Sequence, residues 1–249
     1  MPKTGIVVAI AVLVVGFMVS GASAFEPKFT LSSRLWSQYV GANGFVLHNG
    51  PEMQNDLSVG LPHGFTLGLT HFVGLNGSSL SSGFDDEVDL NLDWTGKLFG
   101  LNLNTGVFYL DLYPVLKGST NMWQTYMEVG KEFGVFGNQT LTPYARLDVY
   151  APAHAGSFEG GTWLRAGLKH HVPISDLVSL DHKVSLMHDD GALGFQPGYL
   201  ADYQGSLSWA VTKALTVEAP NYRVVMPLEN FSDGRGTTGV VGAGVVYRF

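Results

Sequence analysis

Apolar and polar residues alternate with a period of two along most of the chain. Residues 88–94 read VDLNLDW, residues 65–70 read FTLGLT, residues 145–149 read ARLDV and residues 164–168 read LRAGL. An α-helix would place the apolar and acidic residues of 88–94 on the same side, whereas a β-strand separates them onto two faces. The pattern therefore predicts strands with one apolar and one polar face.

About twelve such segments can be placed along the sequence, each near the ~9–11 residues that a tilted membrane-spanning strand needs. We predict strands at 28–40, 52–61, 64–74, 86–96, 100–112, 121–133, 140–150, 160–172, 177–188, 200–212, 214–227 and 237–249. The predicted fold class is all-β, a transmembrane antiparallel up-and-down β-barrel.

The connections between these segments alternate in length. PHG at 62–64, GKLFG at 96–100 and TKA at 212–214 are short, whereas GLNGSSLSSGF at 74–84 and ENFSDGRG at 229–236 are longer. Barrels of outer membranes have short periplasmic turns and longer outer loops. An even number of strands also returns both ends of the chain to the periplasmic side.

Composition favours a barrel in a membrane over the main structural alternative, an exported soluble β-sandwich. Charged residues make up 14% of the chain, against about 25% in soluble domains. The chain has 32 glycines and no cysteine, so no disulfide framework holds an exported domain together. A sandwich would not need an apolar face on nearly every strand. The net charge of −7 argues against a nucleic-acid partner.

The first 24 residues have the layout of a secretory signal peptide. Lys3 precedes the apolar run 5–21, and residues 22–24 read ASA, a cleavage site of small residues. An uncleaved membrane anchor is the alternative, but the run is short for a span of roughly 20 residues. We therefore expect residues 1–24 to be cleaved and residues 25–249 to form one barrel domain, surrounded by lipid in the outer membrane of a Gram-negative bacterium.

The sequence finishes on an alternating strand, GVVGAGVVYRF at 239–249. Its apolar face includes Tyr247 and Phe249, and its other face carries glycines. A terminal aromatic strand of this kind resembles the signal that outer-membrane barrels present to their assembly machinery. We expect Tyr247 and Phe249 to serve as that signal.

The first half of the mature chain also resembles a known family. SSRLWSQYV at 32–40, GPEMQNDLSVGLPHGFTLGLT at 50–70 and FDDEVDLNLDWTGKLFGLNLNTGVFYLDLYP at 84–114 are similar to the TorF-type porin family. Its recurring elements include the serine and tyrosine of the first strand, here Ser37 and Tyr39, and a segment ending in Tyr-Pro, here 106–114. The resemblance implies a short outer-membrane barrel and brings no catalytic, cofactor-binding or metal-binding residue.

Histidines are the candidates for catalytic or metal-binding chemistry in this sequence. His170 and His171 are adjacent on a strand, so their side chains point to opposite faces and cannot bind one ion together. His182 and His188 are predicted to face outward, and Ser185 lies three residues from each. Outer-membrane lipid hydrolases place a Ser–His pair on the barrel wall, which makes such an enzyme the alternative function. We predict no enzyme, cofactor or metal, since a nucleophile with its base is not evident.

The inward face carries the charges that point to function. The acids of strands two, four and six are predicted to oppose the bases of strands seven to nine across the lumen. If the charges stand apart across water, they would select polar and charged solutes, whereas charges that meet would fill the interior with salt bridges. The predicted function is a small channel for polar solutes, and a closed barrel with a structural or surface-binding role is a further alternative. The predicted pore-lining residues are Arg34, Asp89, Asp93, Glu128, Arg146, Arg165, Lys169 and Lys183.

Overall fold

The computed structural model describes residues 26–75, 86–111, 121–153 and 159–249, and the predicted signal peptide at 1–24 lies outside these ranges. The described residues form twelve long strands. They are β1 Lys28–Trp36, β2 Glu52–Gly60, β3 Phe65–Gly74, β4 Asp86–Leu98, β5 Leu101–Asp111, β6 Met122–Gly130, β7 Thr140–Pro152, β8 Gly161–Pro173, β9 Val178–Asp189, β10 Gly198–Ala210, β11 Leu215–Pro227 and β12 Thr238–Arg248.

Shorter elements lie in the connections. Tyr39–Val40 pairs with Val46–His48, and Phe133–Gly134 pairs with the start of β7. Single 3-10 turns occur at Pro62–Gly64 and Ala192–Gly194. Within the described ranges, no helix is long and apolar enough to cross a membrane.

Each strand pairs with the next in antiparallel fashion, and β12 pairs with β1 to close the barrel. The seam runs in register from Thr30 opposite Arg248 to Trp36 opposite Gly242. Beyond it, the Phe29 amide donates to the Phe249 carbonyl at 2.9 Å and the Phe249 amide donates to Phe29 at 3.0 Å. Closure leaves no unpaired edge among the twelve long strands of the described residues, as a barrel in lipid requires. The predicted all-β barrel is therefore confirmed.

The two faces of the wall differ as the alternation predicts. Outward leucines such as Leu92 and Leu164 are 42% and 55% exposed, whereas the inward Asp89 and Asp148 are 8% and 0% exposed. An apolar exterior around a charged interior is the inverse of a soluble protein and matches a barrel in a bilayer.

The connections define two ends of the barrel. The short-turn end carries the connections 61–64, 99–100, 131–139, 174–177 and 211–214 together with the start of β1 and the end of β12. At the other end, which we call the long-loop end, the strands are separated by residues 37–51, 75–85, 112–121, 153–160, 190–197 and 228–237. Short connections therefore alternate with longer ones, except that 131–139 is longer than 153–160 and 190–197.

Two predicted strands were too long. The first was predicted to reach residue 40, but β1 ends at Trp36 because the chain then turns away from the wall and Tyr39 pairs with His48 instead. The sixth was predicted to reach residue 133, but β6 ends at Gly130. Beyond Gly130, only Leu101 of β5 remains, because Gly130 already pairs with Asn102 near the start of that strand.

Glycines on the inner face of β12 make room for β1 side chains at the seam. A Cβ at Gly244 would lie 2.5 Å from Cγ of Arg34, and one at Gly242 would lie 2.6 Å from Cε3 of Trp36. Arg34 can therefore reach across β12 to Glu218 on β11, where its Nε donates to Oε2 at 2.8 Å.

Candidate functional site

The lumen contains a chamber of about 600 Å³ in the half nearer the short-turn end. Polar and basic side chains contribute to its wall, including Arg34, Lys169, His171, Lys183 and Arg223. Glu218 and Thr142 also line it. A chamber of this size can hold a small polar solute.

The eight residues predicted to line the pore lie on the inner side of the wall, and all eight are in the described part of the chain. Three of them, Arg34, Lys169 and Lys183, line the chamber. The eight residues belong to β1, β4 and β6 to β9. The residues are Arg34, Asp89, Asp93, Glu128, Arg146, Arg165, Lys169 and Lys183.

The predicted separation of acids from bases across water does not describe this interior. Lys169 on β8 forms an ion pair with Glu128 on β6. Arg146 binds the fully buried Asp148 on its own strand at 2.7 Å, and its guanidinium lies 4.0 Å from the centre of the Tyr126 ring. These charges meet because the side chains are long enough to reach across an intervening strand or to a residue two positions along.

Arg34 is the centre of a second ion-pair group, which spans the seam. Its Nη1 donates to Asp56 on β2 at 2.8 Å, while its Nε binds Glu218 on β11. Ser32 and Thr70 also donate to the carboxylate of Asp56, at 2.6 and 2.9 Å. The group joins four strands around the chain ends and holds Arg34 in a fixed orientation.

Some segregation of charge persists toward the long-loop end, where acids lie on β2 and β4. Glu52 and Glu87 are 1% and 5% exposed, and Asp89 lies beside Glu87. The Tyr39 hydroxyl donates to Glu87 at 2.8 Å. Burial, followed by the negative charge of Glu87 and Asp89, raises the pKa of Tyr39 well above its usual value, so its hydroxyl stays protonated and keeps donating.

The connection between β1 and β2, residues 37–51, folds inward, and we call it the lumen hairpin. Val40, Asn43 and His48 are 7%, 2% and 1% exposed. Val40 belongs to an apolar cluster with inward residues of β6 to β12, among them Leu200 and Val225. The lumen hairpin therefore fills space inside the barrel and narrows the long-loop end.

Arg223 on β11 holds the lumen hairpin in place. Its Nη1 donates to the Val40 carbonyl at 2.9 Å and its Nη2 donates to the Ala42 carbonyl at 3.2 Å. The same guanidinium binds Asp202 on β10 at 2.9 Å. Arg223 lines the chamber as well, so it stands at the boundary between the chamber and the hairpin.

A buried arginine ties together two connections at the long-loop end. Arg235 donates to Asp189 at 3.0 Å, with both side chains fully buried, and its guanidinium lies 4.0 Å from the centre of the Phe231 ring. It also binds Asp233 at 3.0 Å. Burial raises the pKa of Asp233, but hydrogen bonds from the Gln196 amide and from Arg235 outweigh burial, so the pKa lies below its usual value.

The burial of the lumen hairpin and the roles of Arg223 and Arg235 in the interior were not predicted from the sequence. One signal was available for the hairpin, since residues 40–47 read VGANGFVL, which is apolar for a connection in solvent. No comparable signal marked Arg223, because its role depends on two carbonyls in a distant segment.

The histidines do not form a catalytic pair with Ser185. His182 and His188 lie on the outer face of β9, as predicted, whereas Ser185 lies on the inner face and is 3% exposed. The wall of the barrel separates nucleophile from base. His182 instead contacts the hydroxyls of Tyr203 and Tyr222 at 3.0 and 3.1 Å. Across the described ranges, no group of three or more His, Asp or Glu side chains is placed to hold a metal ion.

Solved structures resemble this chain along nearly its whole length. A NanC porin matches with a TM-score of 0.58 at 12% identity, covering 87% of this chain and 98% of its own. A KdgM porin matches with a TM-score of 0.55 at 13% identity, covering 88% and 99%. An outer membrane channel from Pseudomonas putida F1 matches with a TM-score of 0.54 at 10% identity, covering 92% and 97%. At such identities the likeness concerns the fold alone.

No protein-family model matches the sequence, and no curated protein matches it. The fold is thus that of solved outer-membrane porins and channels.

Proposed function

We propose that this chain is a channel of the Gram-negative outer membrane that passes small polar or charged solutes by diffusion. The observation that carries the proposal is the chamber of about 600 Å³, lined by charged and polar side chains inside a closed barrel with an apolar exterior. Charged side chains at close quarters select among solutes more effectively than surface charges, because little water screens them. The solved porins and channels with the same fold support the proposal.

Single-channel recording in planar bilayers is the direct test. We expect discrete ion conductance from the purified, folded protein, small in size because the lumen hairpin narrows one end. A barrel that is folded by its electrophoretic mobility and yet gives no conductance would contradict the proposal. That result would favour a closed barrel with a structural or surface-binding role, which the buried hairpin also supports.

Proposals on export and assembly accompany this function. Residues 1–24 would be removed as a signal peptide, and the strand ending in Tyr247 and Phe249 would be presented to the barrel-assembly machinery. Membership of the TorF-type porin family is likewise proposed, on the residues of the N-terminal half.

The alternation of connection lengths predicts the orientation in the membrane. Proteinase K added to intact cells is expected to cut within residues 74–84 and to spare 96–100, because long connections face outward in outer-membrane barrels. Permeabilised cells serve as the control, since the exposed turn around Phe99, itself 94% exposed, should then be cut as well. Fragments are identified by mass spectrometry. Cleavage at 96–100 in intact cells would show the opposite orientation.

A further inference from the structure

Two lysines face each other directly on the inner wall. Lys169 on β8 and Lys183 on β9 are partners in the strand register, and both line the chamber. Like charges that lie directly opposite one another on neighbouring strands destabilise a sheet. Arg165 adds a third positive charge on the same face of β8, four residues from Lys169.

The nearby carboxylates do not balance this charge. Glu128 pairs with Lys169, and Asp148 is held by Arg146 at 2.7 Å, leaving Arg165 at 3.9 Å from it. Among the ion pairs of the described residues, none includes Lys183. Glu128 and Asp148 thus face four basic side chains, and Asp181 on the same face of β9 reduces the excess of positive charge without removing it.

The aromatic ring of Tyr144 lies next to both ammonium groups. The Nζ atoms of Lys169 and Lys183 lie 4.8 and 5.4 Å from the centre of the Tyr144 ring. A ring face attracts cations and orients them but carries no net charge, so it does not neutralise them. Both ammonium groups thus keep hydrogen-bond donors available for an anion.

The two arginines of the chamber lining already have acidic partners. Arg34 is bound to Asp56 and Glu218, and Arg223 is bound to Asp202. The ring of His171 contacts Asp181 at 2.8 Å. The side chain of Lys169 is 41% exposed, so a solute in the chamber can reach this place.

We propose that Lys169 and Lys183 form a binding site for an oxyanion, the carboxylate or phosphate group of a solute in the chamber. An oxyanion between the two ammonium groups would offset their repulsion and accept charge-assisted hydrogen bonds from both. The proposal rests on the proposed function, because it names the class of solute that the channel favours, but binding can be measured without conduction.

The first experiment measures binding by isothermal titration calorimetry on the folded barrel in zwitterionic detergent. Sodium glucuronate and glucose differ by one carboxylate, and inorganic phosphate tests the other oxyanion. We expect glucuronate to bind and glucose not to bind, and Lys183→Gln to weaken glucuronate binding about tenfold or more, as loss of a charge-assisted hydrogen bond implies. Phosphate binding would extend the site to both oxyanions, and its absence would restrict the site to carboxylates.

Lys213→Gln is the matched control, because Lys213 is exposed in the turn between β10 and β11, outside the chamber lining. Equal binding in Lys183→Gln and wild type, equal weakening in both variants, or glucose binding as tightly as glucuronate would overturn the proposal. Heat-modifiable mobility on gels shows that each variant is folded.

The second experiment separates this proposal from the channel itself. Reversal potentials under a KCl gradient are expected to move toward cation selectivity in Lys183→Gln and in the double variant Arg165→Gln, Lys169→Gln, but not in Lys213→Gln. An unchanged potential with conductance intact would overturn the role of the site in permeation. If neither wild type nor any variant conducts while glucuronate binding still depends on Lys183, the proposed channel function is wrong and the oxyanion site is supported.

Discussion

Replacing Arg223 with methionine is expected to release the lumen hairpin and raise the single-channel conductance. The substitution removes two hydrogen bonds to hairpin carbonyls while keeping an unbranched side chain. A hydrogen bond to a charged group contributes about 1.5–3 kcal/mol. About 1.4 kcal/mol changes a population tenfold. The state in which the lumen hairpin is released should therefore become at least about tenfold more populated. Planar-bilayer recordings would detect this change as longer or more frequent openings.

Arg146→Met is the matched control for this experiment. It removes another inward arginine, whose partner is Asp148 rather than the lumen hairpin. We expect that variant to change ion selectivity more than the frequency of opening. Equal opening in both variants would contradict a specific role of Arg223.

A reversible cross-link tests the same movement in the opposite direction. A Cβ built at Gly44 lies 3.5 Å from Cβ of Val225, within the ~3.5–4.5 Å that a disulfide spans. Gly44 has a φ of 84°, so a cysteine there is strained, but the native chain has no cysteine to interfere. Adding Gly44→Cys and Val225→Cys to Arg223→Met should give low conductance when oxidised and high conductance when reduced. Conductance that ignores the redox state would show that the hairpin does not gate the lumen.

Deletion of Phe249 is expected to abolish most of the folded barrel. Phe249 exchanges two backbone hydrogen bonds with Phe29, and the two rings stack with centres 5.5 Å apart. The hydrogen bonds contribute about 0.5–1.5 kcal/mol each and the ring pair a similar amount. The loss falls on the seam, where every missing bond exposes backbone groups to lipid. Heat-modifiable mobility after extraction from outer membranes measures the folded fraction.

Two comparisons make this deletion informative. Phe136→Ala removes an 80% exposed ring at the same end of the barrel, and we expect it to leave the folded fraction near that of wild type. Phe249→Ala keeps the backbone bonds and should fall between the deletion and wild type. If the variant lacking Phe249 folds as well as Phe136→Ala, the terminal residue is not required for the barrel to form.

The strands were predictable because a barrel in lipid forces strict alternation. Leu92 must face lipid and Asp93 must not, so residues 88–94 specify both the strand and its inner face. Gly64 and Gly100, with φ of 84° and 76°, sit at the short turns that divide neighbouring strands. The residues that meet these requirements are adjacent in sequence, so short segments suffice to predict the strands and turns.

The filling of the lumen was not predictable in the same way. Lys169 reaches Glu128 across β7, which requires the register of three strands and not only the face on which each residue lies. The apolar run 40–47 hints at burial of the lumen hairpin, but nothing adjacent in sequence marks the residues that it contacts. Its anchor, Arg223, lies 183 and 181 residues along the chain from the two residues whose carbonyls it binds.

That separation sets the timing of assembly. The lumen hairpin is made early, between β1 and β2, whereas Arg223, Val225 and Val240 belong to the last two strands. Contacts between such distant segments form late, because the intervening chain must be ordered first. The inner packing around the hairpin therefore completes only once β11 and β12 are present. Burial of Val40 thus reports that the wall is complete.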